Sequence, residues 1–214
     1  MKEKFIKKWM RVARLIGEDQ NPCHSRKIGA IIVEPKSNRI LGTGYNGPPP
    51  GTPHPESAEY LREYFWPQLT DDEKQSLKLS LLTTHELQSG LRDESSPITD
   101  EYLCNRFVET YQGKPICPRR LVRADTGQRT DLCSCGHAER HAITNAAQSC
   151  LNCYMFCWCG VPCLQCTDAI IQAGIIRVYC LDVPDYHSLS RWLFHKAGVL
   201  IIQYPIGWYN EQVI

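Results

Sequence analysis

Two short segments constrain this chain more than any others. They are Cys-Gly-His-Ala-Glu-Arg-His-Ala-Ile at 135–143 and Cys-Gly-Val-Pro-Cys-Leu-Gln-Cys at 159–166. Each reads as a loop turning into a helix, so the fold must bring two helix starts together if His137, Cys163 and Cys166 are to share one ion. Cys163 and Cys166 stand at i and i+3 of a first helical turn and face the same way. A helix N-terminus carries positive potential, which lowers thiol pKa and favours the thiolates that bind zinc. Three protein ligands leave a fourth tetrahedral position to water, the pattern of a catalytic zinc site. Glu139, two residues past the histidine, can reach that water without binding the ion, taking a proton as general base and returning it as general acid. Two thiolates cancel the charge of Zn²⁺, so the nearby base matters the more. Two plainer readings compete: a closed zinc knuckle with a fourth ligand from Cys135, Cys157 or Cys159, and a redox Cys-x-x-C at 163–166. Neither has a use for Glu139.

The cysteines extend the metal argument. Of twelve, nine fall between Cys104 and Cys163. The N-terminal stretch is basic but lacks an uninterrupted apolar core, and no apolar run approaches the ~20 residues of a membrane span. A cytoplasmic chain is expected, where metal explains clustered cysteines better than disulfides do. Phe5, Trp9, Val12, Ala13 and Ile16 recur at helical spacing and give an amphipathic first helix. The formal net charge of +1 offers no global field for nucleic acid or membrane. Hydrophobic content of 43% supports a real core.

Strands are expected at 27–34, 39–47, 154–158, 175–182 and 199–204, and helices at 56–66 (stopped by Pro67), 137–148, 162–174 and 188–198. Strands alternating with helices predict an α/β fold: a mixed five-stranded sheet with helices on both faces and one antiparallel strand from the opening hairpin. Residues 67–131 read as an insertion within a single domain spanning 1–214, helix-friendly in its first half and too polar to build its own core. Alternation sends Cys157 and Cys159 to one face, into packing, with no ligand role.

The pattern H-x-E followed by P-C-x-x-C is that of the zinc nucleobase deaminases, which attack the amino-bearing carbon of the base and release ammonia. Within them the chain resembles the deoxycytidylate deaminase family. The resemblance rests on 27–51 with "GYNGPPPG", on "CGHAERHAI" (135–143), on "VPCLQCTDAIIQAGIIRVYC" (161–180) and on "DYHSLSRWLFHKAG" (185–198). It implies the three-layer α/β/α cytidine-deaminase-like fold and conversion of dCMP to dUMP. Asn46 would bond the nucleoside, the backbone N–H of Ala138 would hold the cytosine O2, and Tyr186 would pack on the base. Relatives are commonly homohexamers with a regulatory site that takes dCTP, with Mg²⁺, as activator and dTTP as inhibitor. Arg26, Lys27, Gly44, Tyr45, Asn46 and Gly47 would form that site here. His141, preceded by Arg140, replaces the usual asparagine of H-A-E-x-N and alters how a phosphate would be read. A second, structural zinc is expected on Cys23, Cys104, Cys117 and Cys133. The alternatives are a deaminase of dCTP or of cytosine in single-stranded nucleic acid, and a zinc-stabilised interaction module without catalysis.

Overall fold

The computed structural model describes residues 1–82, 98–125, 127–185 and 187–210, and side chains only to Trp208 at the C-terminal end. The chain divides into two compact units, residues 1–47 with 136–214, and residues 48–135. The second unit takes in the expected insertion together with the proline-rich loop and the aromatic stretch before it.

In the first unit, helix α1 (Glu3–Leu15) leads through a π-helical turn, Ile16–Gln20, to strands β1 (Gly29–Glu34) and β2 (Arg39–Tyr45). Strands β3 (Tyr154–Cys157), β4 (Arg177–Leu181) and β5 (Leu200–Tyr204) complete a five-stranded sheet in the order β2-β1-β3-β4-β5. Strand β1 runs antiparallel to both β2 and β3, while β3, β4 and β5 are mutually parallel. One antiparallel strand in an otherwise parallel sheet is what the sequence predicts.

Strand alternation divides the core in two. Ile31, Val33, Phe156, Tyr179 and Leu181 pack under Ile6, Trp9, Met10 and Ala13 of α1. Ala30, Ile32, Met155, Cys157, Val178 and Cys180 face the other way. There they meet Ala138 and Ala142, Ile170, and Phe194, from the three helices Ala138–Thr144, Leu164–Gln172 and Ser188–Lys196. The result is helix, sheet, helix. Among the described residues no helix is long and apolar enough to cross a membrane.

The second unit corrects one expectation: it does build a core. Twelve residues are buried together, among them Phe65, Trp66, Leu77, Leu103, Phe107 and Leu132. Polar composition concealed this, because its aromatic and leucine residues are concentrated in two helices (Asp71–Leu81 and Asp100–Tyr111) and one irregular stretch. That stretch is the expected helix at 56–66. It is π-helical over Tyr60–Phe65 and tightens to a 3-10 turn at Trp66–Gln68, so Pro67 lies inside the turn instead of ending a helix. The helix-friendly segment past Leu82 lies outside the described residues.

Arg129 ties this unit together. Its φ of 45° is left-handed, and its guanidinium bonds Glu73, the Gln68 carbonyl at 2.9 Å and Asp131 at 3.2 Å. Burial pushes the Glu73 carboxyl up, but hydrogen bonds from Arg129 and Thr70 outweigh it and hold it below the usual carboxylate range. Asp100 is likewise held low, its burial outweighed by Lys74 and Trp66. A depressed folded pKa gives stability that is present above the unfolded value and lost as pH falls through the folded one. Arg129→Ala should therefore cost about 2 kcal/mol in urea unfolding at neutral pH, and the deficit should shrink on acidification through the carboxylate range. A variant with the wild-type urea midpoint would show that Arg129 holds nothing.

Candidate metal centre and active site

Register brings the pieces of the site to one end of the sheet. Gly29 pairs with Tyr45 and Ala30 with Cys157, so the C-terminal ends of β2 and β3 lie side by side across β1. Loops leaving the carboxyl ends of strands are where open α/β sheets bind ligands. After β2 the chain makes a two-residue bridge: Gly47 N–H donates to Gly136 O at 3.3 Å, and Gly136 N–H to Gly47 O at 2.7 Å. That bridge delivers His137 to the start of its helix. Gly44 lets the helix settle on β2, since a Cβ there would stand 2.1 Å from the Ala138 carbonyl oxygen.

His137 and Cys163 both occupy the N-cap of their helices, and neither side chain caps its own backbone. Both turn to each other instead. His137 Nδ1 lies 3.2 Å from Cys163 Sγ and 3.3 Å from Cys166 Sγ. Nitrogen and sulfur ligands at zinc bond lengths, set tetrahedrally, would stand about 3.5 Å apart. The donor set fits such an ion in number, type and spacing. Hydrogen bonds from Cys166 and then His137 lower the Cys163 thiol to about 4 despite its burial, toward the thiolate form that binds zinc. Cys166 is pushed up because it donates to that thiolate and is buried. The His137 imidazole is raised, chiefly by Cys163.

Glu139 follows on the first turn of the same helix and is only 4% exposed. Burial raises its carboxyl above the usual range. Its Oε1 lies 3.8 Å from Cys159 Sγ. Among the described residues, two groups of three or more metal-ligating side chains bring their ligand atoms within 4.8 Å of one another. They are His137, Cys163 and Cys166, and Glu139, Cys157 and Cys159. Neither includes Cys23, Cys104, Cys117 or Cys133.

Other expected site residues are placed as follows. Asn46 is buried, and its Oδ1 accepts the Ala138 N–H at 2.9 Å. The two groups expected to hold different parts of a nucleotide are thus bonded to each other. Tyr45 packs partly buried on the α1 face, and its carbonyl accepts from His141 Nδ1 at 2.8 Å. The ring of His141 also lies over Gly136, where a Cβ would come within 2.4 Å of Nε2. His141 therefore clamps the end of β2 to the helix, while Arg140 is exposed. Arg26 and Lys27 are exposed, and Lys27 Nζ donates to the Asn21 carbonyl at 2.5 Å. Tyr186 lies outside the described residues.

The contacts of Cys159 with Glu139 and of His141 with the Tyr45 carbonyl escaped the sequence reading. Alternation from Cys157 signalled the direction of Cys159, but not the glutamate it would meet.

The family pattern described as the cytidine and deoxycytidylate deaminase zinc-binding region matches residues 3–182. A deoxycytidylate deaminase of Schizosaccharomyces pombe is 25% identical over 92% of this chain, which spans 42% of that relative's length. The deoxycytidylate deaminase of Enterobacteria phage T4 is 29% identical over 92% of this chain and 88% of its own. Among solved structures, a dCMP deaminase from the cyanophage S-TIM5, in complex with dCMP and dUMP, superposes with a TM-score of 0.53. It covers 95% of this chain and 99% of its own at 18% identity, a likeness of fold. The match runs from α1 to the end of β4 and includes every residue of the His137–Cys163–Cys166 cluster, and on it the chain belongs to the cytidine and deoxycytidylate deaminase family.

Proposed function

We propose that the chain hydrolyses dCMP to dUMP and ammonia at a zinc ion held by His137, Cys163 and Cys166. The carrying observation is the approach of one imidazole nitrogen to two sulfurs at 3.2 and 3.3 Å, with a buried carboxylate two residues away. The names of the fission-yeast and phage T4 relatives favour dCMP among cytosine substrates.

Zinc, when bound, supplies a polarised water that is a nucleophile at neutral pH. Glu139 accepts a proton from water and returns it to the departing amino group, which leaves as ammonia. Its raised pKa suits both halves of that exchange, since a carboxyl poised nearer neutrality can hold the proton and give it up. Asn46 and the Ala138 N–H, already bonded to each other, open toward the nucleotide to bind it. Tyr186 would pack on the base, as the family resemblance implies.

Ammonia release from a panel of cytidine and deoxycytidine nucleosides and their mono-, di- and triphosphates tests this, with single-stranded oligonucleotides as further arms. dCMP should lead by at least about tenfold. Preference for dCTP or for an oligonucleotide would replace it, and silence across the panel with zinc bound would leave an interaction module.

Regulation belongs to the same reading. A nucleotide seated on Arg26, Lys27 and Gly44–Gly47 would pull on the Gly47–Gly136 bridge, and hence on the entry to His137. dCTP with Mg²⁺ would favour the active arrangement and dTTP the inactive one, within a homohexamer in the cytoplasm. Turnover of dCMP should rise several-fold with dCTP plus Mg²⁺ and fall with dTTP. Rates indifferent to both would end that part of the proposal. A second zinc on Cys23, Cys104, Cys117 and Cys133 has the clustering of cysteines as its support; two zinc ions per chain would sustain it and one would end it.

A further inference from the structure

Behind Glu139 stand two thiols that the metal cluster does not use. Cys157 closes β3 and Cys159 follows two residues later, so alternation points both toward the face on which the His137 helix packs. A Glu139 carboxylate oxygen, Cys157 Sγ and Cys159 Sγ all lie within 4.8 Å of one another. Cys159 Sγ is 3.8 Å from Glu139 Oε1 and 3.3 Å from the Gly160 carbonyl. One S–H proton thus has two acceptors, and the carboxylate, when charged, is the stronger.

The surroundings keep that proton in place. Cys157 is wholly buried and donates to Cys159, and burial holds its own thiol well above the usual range. The Cys157 bond pulls the Cys159 thiol down, but burial and the Glu139 carboxylate prevail and hold it above the usual range too. Both thiols are held above the usual range, and Cys159 Sγ is the one within reach of Glu139 Oε1. Glu139 has other support, from Cys166 and from its own backbone N–H. Cys166, however, is needed elsewhere once it ligates an ion.

We propose that Cys159, backed by Cys157, is a positioning residue for Glu139: its thiol holds Oε1 and leaves Oε2 to carry the proton. The inference rests on the deamination proposed above. A carboxylate that shuttles one proton between two partners must keep its orientation, and small misplacements are costly in rate. A thiol suits the task because it donates weakly, and so orients the carboxylate without competing strongly for its charge.

The test compares kcat and KM for dCMP in wild type, Cys159→Ala, Cys159→Ser and Glu139→Gln, with zinc per chain and melting temperature for each. Cys159→Ala should lower kcat roughly tenfold, the low end for a bond to a charged group, with KM within about twofold and zinc unchanged. Cys159→Ser restores a donor and should return kcat to within about threefold of wild type. In a Glu139→Gln background, Cys159→Ala should have no further effect on residual turnover. Wild-type kcat in Cys159→Ala, an equal loss in Ser and Ala, or a loss that follows KM, zinc or melting temperature would each overturn the assignment. A wild-type protein inert toward dCMP would overturn the deamination itself, a result distinct from an active protein indifferent to Cys159.

Discussion

Glu139→Gln should abolish dCMP turnover while leaving the metal and the fold in place. Positioned acid–base groups typically contribute 10²–10⁴-fold, and this one would serve both proton steps, so a loss of roughly 10³-fold or more is expected in kcat. The glutamine amide fills the same space but takes up no proton. Replacing a buried ionisable group by a neutral one adds no desolvation cost, so the melting temperature should not fall. Zinc per chain should also stay constant, because the three ligating atoms already approach one another without Glu139. If the variant kept its turnover, Glu139 would have no part in the chemistry. If it lost zinc, the carboxylate would be a ligand and the site a closed one.

Cys163→Ser should produce the opposite signature: metal lost first, activity with it. Cys163 is the cluster thiol that its neighbours hold low, and it is only partly buried. A serine hydroxyl does not ionise there and is a poor zinc ligand, so zinc per chain should fall by at least about tenfold after dialysis. Cys150→Ser is the matched control. Cys150 is buried in the same core, with its Sγ 3.9 Å from the Gln148 carbonyl, and lies outside both ligand groups. It should keep its zinc and its turnover. Equal zinc in the Cys163→Ser and wild-type proteins would remove the proposed ligand set.

The two substitutions together separate the catalytic site from the knuckle. In a closed knuckle, Glu139→Gln is silent and Cys159→Ser releases the ion. In the open site, Glu139→Gln kills turnover with the ion retained, and Cys159→Ser does little.

Most of the fold was legible because short apolar runs bounded by turns alternate with helical stretches along the chain, the imprint of a sheet covered on both faces. Ala30 and Ile32 go one way and Ile31 and Val33 the other, and the structure's two cores follow that division. The pairing of Cys163 with Cys166 is legible as local i, i+3 geometry, whereas the approach of His137 to them, 26 and 29 residues away, is expected from the zinc-deaminase pattern; the structure brings the three together. What stayed hidden depends on contacts between distant segments. That His141 would bond the Tyr45 carbonyl, 96 residues away, has no local signal. The Asn46 to Ala138 bond, spanning 92 residues, is of the same kind. The core of residues 48–135 escaped for another reason: its apolar residues are confined to two otherwise polar helices and to a π-helical stretch that 3.6-residue periodicity does not describe.

The most direct test of the account is to run the zinc-loaded protein on dCMP in oxygen-18 water and weigh the product. The account requires dUMP carrying one solvent-derived oxygen on the base, with one ammonia released for each. Unlabelled product, or dCMP recovered intact beside a full complement of zinc, would contradict it.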